Sequence, residues 1–117
     1  MKMNPVTVAE TQLFLRQAEG VWSEQERFEF VDFIAANPEV GDLIPETGGV
    51  RKVRWKRQGS GKRGGVRVIY FYYNEEIPLY LLMIYSKAVK EDLTADQKRA
   101  VVDFTSQLKR RAKNERA

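Results

Sequence analysis

One stretch constrains the fold of this 117-residue chain more than any other: residues Thr47–Asn74, which read TGGVRKVRWKRQGSGKRGGVRVIYFYYN. From Val50 onward the side chains alternate, which predicts a strand with Lys52, Arg54 and Lys56 on one face and with Val53 and Trp55 on the face toward the core. A Gly-rich turn follows, and residues 66–73 have the aromatic and β-branched composition of a second strand. The stretch therefore predicts a β-hairpin.

The predicted hairpin is strongly basic. It has no acidic residue, and its basic residues are Arg51, Lys52, Arg54, Lys56, Arg57, Lys62, Arg63 and Arg67. The net charge of +4 hides a gradient, because residues 1–46 carry nine acidic and only three basic side chains. Concentrated positive charge attracts polyanions and binds phosphates by releasing counterions. The hairpin therefore predicts contact with nucleic acid; a merely well-solvated surface would not need eight like charges without local compensation.

Capping signals predict three helices. The signals are Thr11, the capping box Ser23 with Glu26, and the capping box Thr94 with Gln97. The first helix should end near Gly20, and the second near Asn37, because the following Pro38 cannot continue a helix. Apolar rows predict that these helices pack on a core. In the second helix the rows are Phe28, Val31, Ala35 and Phe30, Phe33, Ile34; in the third the stripe is Val101, Phe104 and Leu108.

The remaining apolar segments complete the predicted architecture. Residues 4–10 predict a short strand, and the run LYLLMIY over Leu79–Tyr85 predicts a central strand covered on both faces. Residues 38–49 predict a loop that Leu43 and Ile44 attach to the core. The order is strand, two helices, three antiparallel strands and helix. It predicts one α+β domain over residues 1–117, with helices packed on one side of an antiparallel sheet.

Composition removes several classes of protein. The chain has no cysteine, which excludes disulfides and thiolate chemistry, and no histidine, which removes the commonest general base and metal ligand. No metal site or cofactor is expected. The longest apolar run has seven residues, far fewer than the roughly 20 that span a bilayer. The start of the chain lacks a signal-peptide pattern, so we expect a cytoplasmic protein with no membrane contact.

Four segments together resemble a known family. They are GDLIPETGGVRKVRWKR, GKRGGVRVIYFYY, LLMIYSKAVKEDLT and the closing helix. They resemble the RelE/HigB toxins of bacterial type II toxin–antitoxin systems, in particular the HigB-like branch. The resemblance implies a compact α+β fold like that of small microbial ribonucleases. It also implies a ribosome-dependent endoribonuclease (mRNA interferase) that inhibits translation and is silenced by a cognate antitoxin, expected to be of helix-turn-helix type.

The resemblance also implies the chemistry. The 2′-hydroxyl of the mRNA attacks the neighbouring phosphate without a metal ion, which requires a base, an acid and a clamp on the transition state. Arg54 and Arg67 can clamp phosphate oxygens as bidentate forks, and on antiparallel neighbours their side chains can converge. Lysine crowded by like charges can act as base or acid. The expected catalytic residues are therefore Arg54, Lys56, Arg67, Lys87 and Lys90.

Further residues are expected to bind the RNA. They are Arg51, Lys52, Arg57, Lys62, Arg63 and Tyr72, the last by stacking on a base. Trp55 is expected in the core. The chain departs from the family pattern at two positions: Thr94 stands where a catalytic tyrosine is expected, and Ala88 where an arginine is expected. The general acid and base are therefore not assigned to particular residues.

Two other functions use the same basic face. A non-catalytic RNA- or DNA-binding module, or a decayed toxin, would bind nucleic acid in a salt-sensitive way and release no cut products. A structural subunit would use the face only to bind an acidic partner. A neighbouring gene for a helix-turn-helix protein would favour the toxin.

Overall fold

Within residues 5–55, 65–86 and 92–116, which this computed structural model describes, the chain forms five strands and three helices. In chain order they are β1 (Val8–Glu10), α1 (Gln12–Glu19), α2 (Glu24–Ala36), β2 (Asp42–Leu43), β3 (Val50–Trp55), β4 (Val66–Phe71), β5 (Leu79–Ser86) and α3 (Ala95–Arg116). The predicted α+β class is confirmed. The sequence does not predict β2, which lies inside the segment expected to be a loop.

The strands form one mixed sheet in the order β1-β5-β4-β3-β2. β3, β4 and β5 pair antiparallel as predicted, and β2 adds antiparallel to the far side of β3. β1, however, pairs parallel with β5, so the sheet is not purely antiparallel. The direction of β1 is not constrained by a tight turn, because the whole chain up to β5 separates the two strands.

The three predicted capping signals are confirmed. Thr11 Oγ1 accepts a backbone N–H in the first turn of α1. Ser23 and Glu26 exchange side chain–backbone hydrogen bonds of 2.9 and 3.1 Å at the start of α2. Thr94 and Gln97 do the same before α3, at 3.0 and 3.1 Å. Among the described helices, including the 22-residue α3, none has the length and apolar character needed to cross a bilayer.

Apolar side chains cover both faces of the sheet, which corrects the expectation of helices on one side. On one face α1 and α2 contribute Phe14, Ala18, Phe30 and Ile34 to a cluster with Val53, Val68 and Tyr70. On the other face α3 contributes Val101 and Leu108 to a cluster with Val50, Ile69, Phe71 and Tyr85. The physical reason is that β4 and β5 are apolar on both faces, so each face must be shielded from water.

Two expected core residues lie at the surface. Phe28 is 50% exposed, although it belongs to an apolar row of α2. Phe30 and Ile34 define the buried side of this helix, and Phe28 precedes Phe30 by two residues, or about 200° around the axis. Its ring instead contacts the Arg27 guanidinium, whose carbon lies 4.9 Å from the ring centre. Leu43, expected to attach the loop to the core, is 59% exposed on the edge strand β2.

Candidate nucleic-acid interface

Two arginines lie directly opposite each other near the turn end of the β3–β4 ladder. In the β3–β4 register Arg54 pairs with Arg67, so the expected convergence of these residues on antiparallel neighbours is what the structure shows. Arg54 is exposed, whereas Arg67 is only 4% exposed. Like charges directly opposite each other destabilise a β-sheet. An arginine pair that lowers the stability of the sheet therefore points to a functional role.

Lys52 extends this group along β3. It lies two residues before Arg54, and in the register it pairs with Ile69, a member of the α3-side cluster. Lys52, Arg54 and Arg67 all line one cleft of about 400 Å³. The other lining residues are Val40, Gly41, Asp42 and Val53. Three cations therefore line a single cleft near the edge strand β2, together with Asp42, which is the cross-strand neighbour of Lys52.

A second carboxylate, Asp92, contacts Lys52 from the segment before α3. Lys52 Nζ donates a hydrogen bond of 2.8 Å to Asp92 Oδ1. This hydrogen bond and the charge of Lys52 lower the pKa of Asp92, and Lys98 and Arg67 act in the same direction. The Asp92 carboxylate remains 77% exposed, so it is an accessible anion beside the cleft. Sequence reasoning missed this residue, because its partner lies forty positions earlier in the chain.

The structure separates Arg51 from the other cations. Strand alternation turns it to the opposite face, where it pairs with Tyr70 rather than with Arg67. Its Nη1 donates hydrogen bonds to the carbonyl oxygens of Glu39 and Gly41, at 2.9 and 2.8 Å. Arg51 was expected to contact RNA, but its guanidinium is instead engaged with the backbone of the segment before β2.

Trp55 and Tyr72 lie in different environments, one in the core and one at a separate cleft. Trp55 packs against Phe30 and Phe33, with ring centres 5.2 and 4.8 Å apart, which confirms its place in the core. Tyr72 lines a different cleft of about 410 Å³, together with Pro38 and neighbouring residues. Burial, with smaller contributions from Glu75 and Glu39, raises the pKa of Tyr72 above 10.0.

Six expected site residues lie outside the described residues. They are Lys56, Arg57, Lys62 and Arg63, between β3 and β4, and Lys87 and Lys90, after β5. Ala88 lies in the same undescribed segment, whereas Thr94 is described and caps α3. In the described parts of the chain no group of three or more acidic side chains is arranged to hold a metal ion.

Comparison with known proteins shows first the fold and then the family of this chain. The fold is similar to that of an arginine-to-alanine double mutant of the E. coli toxin RelE in the free state, with a TM-score of 0.55. The match covers 75% of this chain and 88% of that chain at 11% sequence identity, so it shows a shared fold. The family model described as the RelE toxin of the RelE/RelB toxin–antitoxin system matches residues 11–116. The chain therefore belongs to the RelE family: it is a toxin of a toxin–antitoxin system, and its partner is an antitoxin.

Proposed function

We propose that this toxin is a ribosome-dependent mRNA endoribonuclease that inhibits translation. The observation that carries the proposal is the convergence of Lys52, Arg54 and Arg67 in one cleft at the edge of the sheet. Membership of the RelE family supports the same activity. A cleft lined by three cations binds the phosphates of a nucleic acid, because it replaces their counterions.

The arginines supply the charge that phosphoryl chemistry needs. The 2′-oxygen attacks the adjacent phosphorus, a new O–P bond forms, and the bond from phosphorus to the 5′-oxygen breaks. The products are a cyclic phosphate and a 5′-hydroxyl. Arg54 and Arg67 hold the non-bridging oxygens, whose negative charge grows in the transition state. Lys52 contributes a further positive charge to the bound RNA.

Proton transfer belongs to other groups in this proposal. A base must take the proton of the 2′-hydroxyl, and an acid must give one to the departing 5′-oxygen. Lys56, Lys87 and Lys90 are the proposed candidates, and all three lie outside the described residues. Lysine suits either role where neighbouring positive charge lowers its pKa.

The partners follow from the same surface. The mRNA on the ribosome is the proposed substrate, and the antitoxin, proposed to be of helix-turn-helix type, silences the toxin by preventing access to the cleft. Acidic groups of an antitoxin would meet the same three cations. The net positive charge of the chain favours fast association with both partners.

The activity is tested by inducing the chain in a bacterium and mapping mRNA 5′-ends. Arg54→Gln removes an exposed charge from the cleft, and Arg67→Lys keeps the charge but loses the fork geometry. Arg16→Gln is the matched control, because Arg16 is an exposed arginine on α1, away from the cleft. We expect new 5′-ends inside translated reading frames for the wild type and for Arg16→Gln, and fewer for both cleft variants.

Two outcomes would contradict this function. Undiminished cutting by both cleft variants would place the active site elsewhere. Salt-sensitive RNA binding by the protein, with no new 5′-ends in the cells that express it, would favour the non-catalytic binding module. This holds whether or not those cells stop translating.

A further inference from the structure

One wall of the cationic cleft is a short segment with little support from the sheet. Val40, Gly41 and Asp42 line the cleft beside the cations, and Asp42 is the cross-strand neighbour of Lys52. The strand that follows, β2, has only two residues, paired as Asp42 with Lys52 and Leu43 with Arg51. So short a ladder contributes few hydrogen bonds, and Val40 and Leu43 are exposed. Something else must hold this wall in place.

The Tyr70 hydroxyl is the first restraint. It donates a hydrogen bond of 2.8 Å to the Pro38 carbonyl and accepts one of 2.9 Å from the Gly41 N–H. Tyr70 is fully buried in β4, and burial raises its pKa above 10.0, so the hydroxyl stays protonated and able to donate. It therefore bridges both ends of the turn over residues 38–41 from a fixed point in the core.

Arg51 is the second restraint on the same turn. In the β3–β4 register it pairs with Tyr70, and its guanidinium bonds to the Glu39 and Gly41 carbonyls. Both backbone groups of Gly41 are thus held, the N–H by Tyr70 and the carbonyl by Arg51. The approach is close: a Cβ at Gly41 would lie 2.9 Å from the Tyr70 hydroxyl and 3.0 Å from the Lys52 carbonyl oxygen. Only glycine fits here without displacing the turn.

We propose that Tyr70 and Arg51 are positioning residues that fix the wall over residues 40–42 and thereby set the phosphate affinity of the cleft. Neither residue contacts the RNA in this proposal, which rests on the proposed function for the identity of the ligand. A pre-formed wall spares the ligand the entropy of ordering the turn when it binds. Arg51 thus has a different role from Lys52, Arg54 and Arg67, although all four are cations of one hairpin.

The salt dependence of binding separates positioning from contact. The logarithm of affinity falls linearly with the logarithm of salt concentration, and the slope is about −0.7 per phosphate neutralised on a single strand. The probe is a short single-stranded RNA with every 2′-hydroxyl methylated, which binds but cannot be cut. We expect Tyr70→Phe and Arg51→Gln to weaken binding about 2- to 150-fold, the range for one or two lost hydrogen bonds, with unchanged slope. We expect Arg54→Gln to make the slope shallower by about 0.7.

Amide hydrogen exchange tests the wall without RNA. Tyr70→Phe should speed exchange of the Gly41 N–H, which loses its acceptor, while the protein stays folded. Tyr80→Phe is the matched control: Tyr80 is a half-buried tyrosine of β5 that packs edge-on against Phe104. It should leave Gly41 exchange and binding unchanged. If Tyr70→Phe fails to fold, Arg51→Lys tests the second restraint through RNA affinity, because it keeps the charge and loses part of the guanidinium contact with the Glu39 and Gly41 carbonyls.

Specific results would overturn the inference. One is a slope that becomes shallower in Arg51→Gln as much as in Arg54→Gln, since Arg51 would then contact phosphate. Another is unchanged Gly41 exchange and affinity in Tyr70→Phe. If the wild type binds no RNA, the proposed function fails, and the inference is decided separately by Gly41 exchange together with titration of inorganic phosphate.

Discussion

The Arg54–Arg67 pair should lower the stability of the toxin, so Arg54→Gln should raise it. The two residues are directly opposed in the β3–β4 register, where Cβ atoms are about 4.5–5.5 Å apart. Like charges at such positions destabilise a sheet by about 0.2–1 kcal/mol. Arg54 is exposed, and Asp92 contributes opposite charge near Arg67, so solvent and this carboxylate screen the repulsion. We therefore take about 0.5 kcal/mol, near the middle of the range.

Thermal unfolding measures this gain. For a chain of 117 residues, about 0.5 kcal/mol corresponds to a rise of roughly 2 °C in Tm. The rise should be present at low ionic strength and mostly absent in 1 M salt, where the Debye length falls to about 3 Å. The same substitution at Arg16 should act in the opposite direction. That arginine lies in the last turn of α1, where a cation is favourable by about 0.3–1 kcal/mol.

The change in Tm of Arg54→Gln at low salt decides whether this repulsion exists. If Arg54→Gln leaves Tm unchanged or lowers it at low salt, while Arg16→Gln lowers it as expected, then repulsion across the hairpin is not a significant free-energy term. The Arg54–Arg67 pair would then cost no folding free energy, and its position could not be used as an argument for a functional role. A gain in stability joined to a loss of RNA binding would instead show that the two arginines are kept for the ligand.

Three other predictions concern single side chains. Asp92→Asn should strengthen binding of inorganic phosphate in a titration, because the carboxylate no longer occupies Lys52; unchanged affinity would mean that the ion pair does not compete. The lowered pKa of Asp92 means that its ion pair stabilises the fold above the ordinary value of 3.8 and loses this effect as the pH falls below it. Urea unfolding should therefore separate wild type from Asp92→Asn at pH 6 and bring them together near pH 2; equal stabilities at pH 6 would contradict this. Ser23→Ala should lower the free energy of unfolding by about 0.5–2 kcal/mol, because it removes the N-terminal cap of α2, whereas Ser106→Ala, in the middle of α3, should change it little.

Much of the fold is predictable because its signals are local. The caps at Thr11, Ser23 and Thr94 depend on hydrogen bonds to residues three positions away. The alternation of β3 and β4 is visible in the sequence, and from it follow the shared face of Lys52 and Arg54 and the approach of Arg67. The membership of the RelE family was likewise expected from four short segments and is confirmed.

The parts of the site that escaped prediction depend on distant residues. Nothing near Asp92 indicates that it pairs with Lys52, and nothing near Tyr70 indicates that its hydroxyl holds Gly41. Alternation along β3 already places Arg51 on the face opposite Lys52 and Arg54, but the positive charge of the hairpin as a whole grouped it with them. Only the position of the turn over residues 38–41 gives its guanidinium a different partner.

The sequence by itself determined where helices begin, which strands form the hairpin and which side chains share a face, since these follow from hydrogen bonds and periodicities spanning a few residues. The tertiary structure decided the parallel direction of β1, the placement of α3 opposite α1 and α2, and the exposure of Phe28. It also decided which of the described cations line the cleft and which bonds to the backbone of residues 39 and 41. These outcomes depend on covering both apolar faces of one sheet at once, a condition that no short segment can express.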